Sequence, residues 1–210
     1  MKNYLEINKN AYEQAANEYQ ERIKDYKVSD IRIMQPFIDY IKSKFKDAKI
    51  LELGPGSGLG LKILSKAGFK TTAIEISPKM IEVAKQTSPE TEFINDDFLS
   101  HDFENSKYEG IFAKAFIHLF PKSEAKKVLT KIKNLLNKDG AAYITTTLHN
   151  ASDEGFMEKE DYSNKPRRFR KKWTERELLE TIGLSGFKIV LKEHHIEEKR
   201  NKLWICLIIK

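Results

Sequence analysis

The stretch ILELGPGSGLG, Ile50–Gly60, sets an aliphatic run directly before four glycines and a proline. With Lys49 the aliphatic part reads as a buried strand, and the glycines behind it permit positive φ and a close approach of a ligand to the backbone. GLKILSKAG then reads as a helix closed by Gly68, and KTTAIEI as a second strand. In SPKMIEVAKQ, Ser77 can cap a helix whose first turn holds Pro78, where a missing N–H costs little. Strands EFIN and EGIFAK, a helix KSEAKKVLTKIKNLL and a strand AAYITTTL follow. Alternation with such short links implies a parallel sheet with helices on both faces. Ligands of that architecture sit at the carboxyl ends of the strands, at the topological switch point, which is where the glycines fall.

Outward from this centre the pattern changes on both sides. Upstream, NKNAYEQAANEYQERIKDY spaces Tyr12, Ala15, Tyr19 and Ile23 as on an amphipathic helix. A second helix, SDIRIMQPFIDYIKSKF, has Ser29 or Asp30 as cap and Pro36 as a kink or break. Both precede any strand and read as a helical cap over residues 1–46, with the sheet domain at 47–210. Downstream, a polar loop from about His149 to Lys172 leads to a helix, TERELLETIGLSGF. The strands KIVLKEHH and KLWICLIIK are joined by a short charged link, which makes the last strand antiparallel. The expected fold is α/β: a Rossmann-like three-layer sandwich around a mostly parallel seven-stranded sheet.

Composition limits the alternatives. Forty percent hydrophobic residues suits a chain with a core rather than a disordered one. The apolar runs fall well short of the roughly 20 residues that span a bilayer, and MKNYLEINKNAYEQ lacks a signal-peptide core, so a cytoplasmic location away from membranes is expected. Cys206, the single cysteine, lies in LWICLII and reads as a buried structural thiol. The net charge of +6 would suit nucleic acid, yet lysine alternates with acids along most of the chain. Only KPRRFRKKW, Lys165–Trp173, concentrates positive charge.

The glycine spacing fits neither familiar nucleotide loop. A dinucleotide fingerprint needs a glycine three residues after the second, but those positions are Leu59 or Leu61. No Gly-Lys-Ser/Thr closes a P-loop. What ELGPGSG does resemble is the first motif, acid-x-G-x-G-x-G, of the class I S-adenosylmethionine-dependent methyltransferases. The resemblance continues in order through IEISPKMIEVAK, INDDF and YEGIFAKAFIHLFP, across residues 50–147.

The resemblance implies S-adenosyl-L-methionine as cofactor and S-adenosyl-L-homocysteine as product. It sets the backbone of Gly54, Gly56 and Gly58 along the methionine moiety, with Glu52 holding the loop. Glu75 would bind the ribose hydroxyls, and Ile76 and Met80 would pack on adenine. Asp97 aligns with the acid that meets the adenine amino group, beside the Phe98 backbone N–H. Asp96 stands where many relatives have glycine, so either aspartate can be the inward one. Ala113 and Lys114 would offer backbone groups near the ligand's amino end. Tyr19, on the first helix, would cover the cofactor.

Methyl transfer is an in-line displacement that needs alignment, with no metal. His118 and His149 lie at the sheet's carboxyl edge; His118 is the candidate base, its plainer role being to organise its own loop. Tyr12, His149 and Trp173 are the candidate acceptor-binding residues, with Phe156, Tyr162 and Arg168 as possible neighbours. A small-molecule methyltransferase, monomeric or homodimeric, is the reading reached. The alternatives are an RNA or protein methyltransferase that uses Lys165–Trp173, and a non-catalytic protein that binds the cofactor or its product. The segment AKAF after the fourth strand, in place of an Asn/Asp-Pro-Pro-aromatic motif, disfavours base amino-methylation. The basic segment itself could bind RNA, or attract an anionic small molecule, or be solvated.

Overall fold

A computed structural model describes residues 3–22, 29–160 and 162–210. Two helices, α1 (Asn3–Arg22) and α2 (Ser29–Lys42), precede the first strand, β1 (Lys49–Leu53). Then come α3 (Leu59–Lys66), β2 (Lys70–Glu75), α4 (Pro78–Thr87), β3 (Glu92–Asn95) and β4 (Tyr108–Lys114). A 3-10 turn at Ile117–Leu119 leads to α5 (Lys122–Leu135) and β5 (Leu136–Thr147). The chain ends with β6 (Asp153–Glu158), β7 (Arg167–Lys172), α6 (Glu175–Leu184), β8 (Ile189–Glu197) and β9 (Lys202–Ile209).

Among the described residues seven strands form one sheet in the order β3-β2-β1-β4-β5-β9-β8. The first five pair in parallel, and β9 runs antiparallel to both neighbours. This is the expected fold. Because β2 and β4 leave β1 on opposite sides, the order reverses between β1 and β4, which opens a crevice at their carboxyl ends.

Period-two alternation assigns the buried side chains to the two faces. Leu51, Leu53, Ile111, Ala113 and Ile144 pack with α5 and α6, while Ile50, Phe112 and Tyr143 pack with α2 and α3. Phe112 and Tyr143 stack with centroids 4.9 Å apart. Met34, Phe37, Ile38 and Ile41 give α2 one buried face at helical spacing, and the Tyr143 hydroxyl donates to the Ile33 carbonyl at 3.0 Å. α2 is therefore a layer of the sandwich. It continues through Pro36 because that apolar face holds both sides of the proline against the sheet. α2 begins at Ser29, while the Ser29 and Asp30 side chains that would cap it, like the place of Ile23, lie outside what is described.

The Ser77 cap forms as expected, its side chain accepting from Met80 N, with Pro78 at the start of α4. One expectation fails. The polar loop is instead an antiparallel hairpin, β6 with β7, in which Phe156 pairs with Phe169. Its charged composition hid a period-two pattern whose alternate members point inward.

α1 lies across α4 and β7. Ala11, Ala15 and Ala16 let it approach closely, and buried Asn8 fixes it: Phe169 N donates to Oδ1 at 2.7 Å, and Nδ2 donates to the Leu119 carbonyl at 3.2 Å. No helix among the described residues is long and apolar enough to cross a membrane.

Candidate active site

A cavity of about 500 Å³ occupies the switch point, floored by the loop after β1 and closed by α1 and the hairpin. Gly54, Gly56 and Gly60 line it, whereas Gly58 does not. Gly58 has φ +79 and caps α3; a Cβ there would lie 2.6 Å from the Ala84 carbonyl oxygen of α4. Its glycine serves helix packing. A Cβ on Gly60 would meet the Glu52 carboxylate at 2.6 Å, so that glycine makes room for the acid.

Glu52 and Glu75 end adjacent strands inside this cavity. Burial pushes Glu52 up from 4.5 to about 8, against the lowering influence of Lys114 and the Leu61 N–H. Its Oε2 is buried without a hydrogen-bond partner among the described residues, an acceptor that a bound ammonium or amide would satisfy. Burial also raises Glu75 to about 7, although Ser77 N donates to its Oε1 at 2.9 Å. Between pH 4.5 and about 8 the folded chain keeps a proton on Glu52 that the unfolded chain has lost. Stability falls as pH rises through that window. We expect Glu52→Gln to flatten this slope and to raise the stability of the ligand-free protein at pH 8 by a few kcal/mol, at most about 4. Thermal melts across the window check it, and an unchanged slope would refute it.

The two aspartates divide. Asp96 Oδ2 pairs with His101 Nδ1 at 2.9 Å and its Oδ1 accepts from Asp97 N, so its carboxyl is held below the usual range, chiefly by the histidine. Asp97 Oδ2 accepts from Ser100 N at 3.0 Å. Both line the cavity, with Ile76, Met80 and Phe98 nearby. Lys114 reaches the wall with Ala115 and Phe116, whereas Ala113 is fully buried in the core.

The opposite end is aromatic and cationic. The Tyr19 ring stands over Gly56 and packs on Tyr162 at 5.2 Å and Tyr12 at 6.0 Å. Tyr12 Oη accepts from the Arg168 guanidinium at 2.7 Å. Arg168 also reaches His118 Nε2 at 3.4 Å; arginine only donates, so Nε2 is the acceptor and Nδ1–H faces Thr146 Oγ1 at 3.2 Å. Burial, then Arg170, Arg168 and Lys159, hold His118 well below its usual range. It is a neutral acceptor and a weak base.

Two expected acceptor residues stand elsewhere. Trp173 is fully buried in the core under the hairpin, and His149 turns toward Thr147 outside the cavity wall. Phe156 lies on the outer side of the hairpin against Phe169. The residues sequence reading missed are Asn8, Lys159, Arg170 and Thr147. Alternation along RRFRKK was the available signal, since it sends Arg168 and Arg170 to one face and Phe169 and Lys171 to the other.

Residues 50–140 match the methyltransferase domain family. That match covers less than half of the chain. It is 30% identical over 137 residues to a protein of Alkaliphilus oremlandii named as an uncharacterized methyltransferase, covering 65% of this chain and 61% of that one. A ribosomal RNA small subunit methyltransferase A of Mycoplasmopsis pulmonis is 35% identical over 86 residues, 40% of this chain and 33% of its own. The chain thus spans less than two thirds of the length of these curated relatives. In fold it resembles the Burkholderia thailandensis 1,6-didemethyltoxoflavin-N1-methyltransferase, a structure with bound 1,6-didemethyltoxoflavin and S-adenosylhomocysteine. The TM-score is 0.74 at 18% identity, over 98% of this chain and 88% of that one.

Proposed function

We propose that this protein is a methyltransferase that uses S-adenosylmethionine to methylate a small molecule. The observation that supports the acceptor class best is burial of the basic hairpin. Arg168, Phe169 and Lys171, within the segment that the RNA alternative would use, are each under 9% exposed, with Arg168 lining the cavity, so half of β7 is withheld from a polynucleotide.

Within this reading Glu75 accepts the two ribose hydroxyl hydrogens, Ile76 and Met80 pack on adenine, and Asp97 takes the adenine amino group. Glu52, with its unpartnered oxygen, faces the amino end. Tyr19 covers the ligand, and α1 is the lid part of residues 1–46. The bound sulfonium supplies a methyl carbon activated for displacement. Tyr12, Tyr162 and His118 orient the acceptor and exclude water.

His118 is the candidate base at this end, and its low basicity, with Nε2 already accepting from Arg168, sets an expectation. The transfer rate should show no histidine limb between about pH 6 and 8, because the ring is neutral throughout. A limb near 6.5 that His118→Asn removes would contradict this.

Calorimetric titration with S-adenosylmethionine, S-adenosylhomocysteine and NAD tests the cofactor. Labelled methyl transfer into a cell extract, separated into metabolites, RNA and protein, tests the acceptor. Label in the small-molecule fraction is the expected result. Label confined to RNA or protein would overturn the acceptor class, and binding without transfer would leave a non-catalytic binder.

A further inference from the structure

We infer that Lys131, on α5, is a positioning residue for the purine of the cofactor: it closes the turn after β3 so that Asp97, and not Asp96, reads the substituent at the purine 6-position. The inference rests on the methyltransferase reading and deepens it. Asp96 and Asp97 stand on the wall between the central cavity and an outer groove, which Leu99, Ser100 and Lys131 also line. The turn that bears them thus has open space on both sides. Within the turn, His101 N donates to the Asp97 carbonyl at 2.9 Å and Ser100 N to Asp97 Oδ2 at 3.0 Å.

Lys131 ties that turn to a helix. Its Nζ donates to the Leu99 carbonyl at 3.0 Å and to the His101 carbonyl at 2.5 Å, across 32 and 30 positions of sequence. The same ammonium lies 5.4 Å from the Phe98 ring centroid and 5.2 Å from that of Phe103, and the two rings meet edge to face at 5.9 Å. Both hydrogen bonds run to main-chain oxygens, so they set the path of the backbone at residues 99–101. The helix that supplies them is itself seated, with Val128, Leu129 and Ile132 fully buried in the core.

With the turn closed, the two aspartates are unequal. Asp96 uses both oxygens: Oδ1 accepts from Asp97 N at 2.8 Å, and Oδ2 pairs with His101 Nδ1 at 2.9 Å. His101 is held in turn, its carbonyl by Lys131 and its ring edge-on to Phe103 with centroids 4.6 Å apart. Asp97 engages Oδ2 alone, and among the described residues its Oδ1 makes no hydrogen bond. It is also half-buried where Asp96 is exposed. A carboxylate oxygen accepts and does not donate. Oδ1 therefore suits a 6-amino group and opposes a 6-oxo group, which is an acceptor like itself.

The test titrates the full chain with S-adenosylhomocysteine and with S-inosylhomocysteine, which carries a 6-oxo group in place of the 6-amino group. The wild type should bind the first at least about tenfold more tightly. Asp97→Asn should cut that preference by about threefold or more, since an amide can turn a donor or an acceptor outward, whereas Asp96→Asn should keep it. Lys131→Met, which retains the stem and loses the ammonium, should cut it by a similar factor of about three or more, and Lys131→Arg should keep it. A thermal melt reports that each variant is folded. If Lys131→Met does not fold, Lys131→Gln is read the same way. Equal weakening of both ligands in the folded Lys131 variant would make the residue a support of the fold only and overturn the inference. Equal binding by the wild type, or loss of preference in Asp96→Asn instead of Asp97→Asn, would overturn it too. Binding of neither ligand by the wild type would overturn the cofactor reading, and the inference with it.

Discussion

Glu75→Ala is expected to weaken S-adenosylmethionine and S-adenosylhomocysteine binding by roughly 10- to 100-fold, with the melting midpoint of the ligand-free protein unchanged or raised. The loss follows from removing the proposed acceptor of two ribose hydroxyls at the end of β2. The unharmed fold follows from the burial that raises this carboxyl to about 7, since the ligand-free protein then holds a group that is costly to ionise. The same shift gives affinity a pH dependence. Below about 7 the group carries a proton, one acceptor site is lost, and affinity should fall by up to about tenfold per pH unit. Glu75→Gln should remove that part of the slope. Calorimetry at several pH values decides the matter, and wild-type affinity in Glu75→Ala would withdraw the ribose assignment.

Glu177→Gln is expected to destabilise the fold by about 3–5 kcal/mol, the range for leaving a buried charge uncompensated. Glu177 Oε1 pairs with Lys122 at 2.8 Å, and Oε2 pairs with Lys171 at 2.9 Å and accepts from Ser152 Oγ at 2.9 Å. Lys171 is 3% exposed, so its ammonium has no route to water when the carboxylate goes. Burial alone would raise the acid, but the bonds from Lys122, Lys171 and Ser152 together hold it at about 2. That stabilisation is complete above 4.5 and disappears as pH falls toward 2, contributing roughly 3 kcal/mol to acid unfolding. Chemical denaturation should show the deficit. Adding Lys171→Met to Glu177→Gln should recover most of it, and additive losses would mean the pair is not the cause.

What could be read from the chain and what could not divide along a physical line. The loop after β1, the Ser77 cap and the sheet alternation are written in residues within a few positions of one another. That is why Glu52, Gly54, Gly56, Glu75 and Met80 could be named and are found around one cavity. The acceptor end depends on contacts between remote segments: Asn8 meets Phe169 across 161 positions, and Arg168 meets Tyr12 across 156. Trp173 and His149 were placed in the pocket because a charged segment conceals which of its faces turns inward. Once β7 exists, the same alternation that buries Trp173 delivers two arginines to the cavity. Gly58 is a different case. Its spacing fits the ligand motif, but its own contacts are with Ala84.

The pair of bonds at Asn8 has a consequence for how this protein can change. Both bonds run to main-chain atoms, of Phe169 and Leu119, so this hold on the rotational setting of α1 is separate from the contacts of the side chains it displays over the cavity. A helix turned by one residue rotates about 100°, which would swing Tyr12 and Tyr19 away together. Asn8 acts as a registration pin against that rotation, and the tyrosines are interchangeable furniture on a seated frame. Substitutions at positions 12 and 19 therefore leave this pair of bonds to the main chain in place.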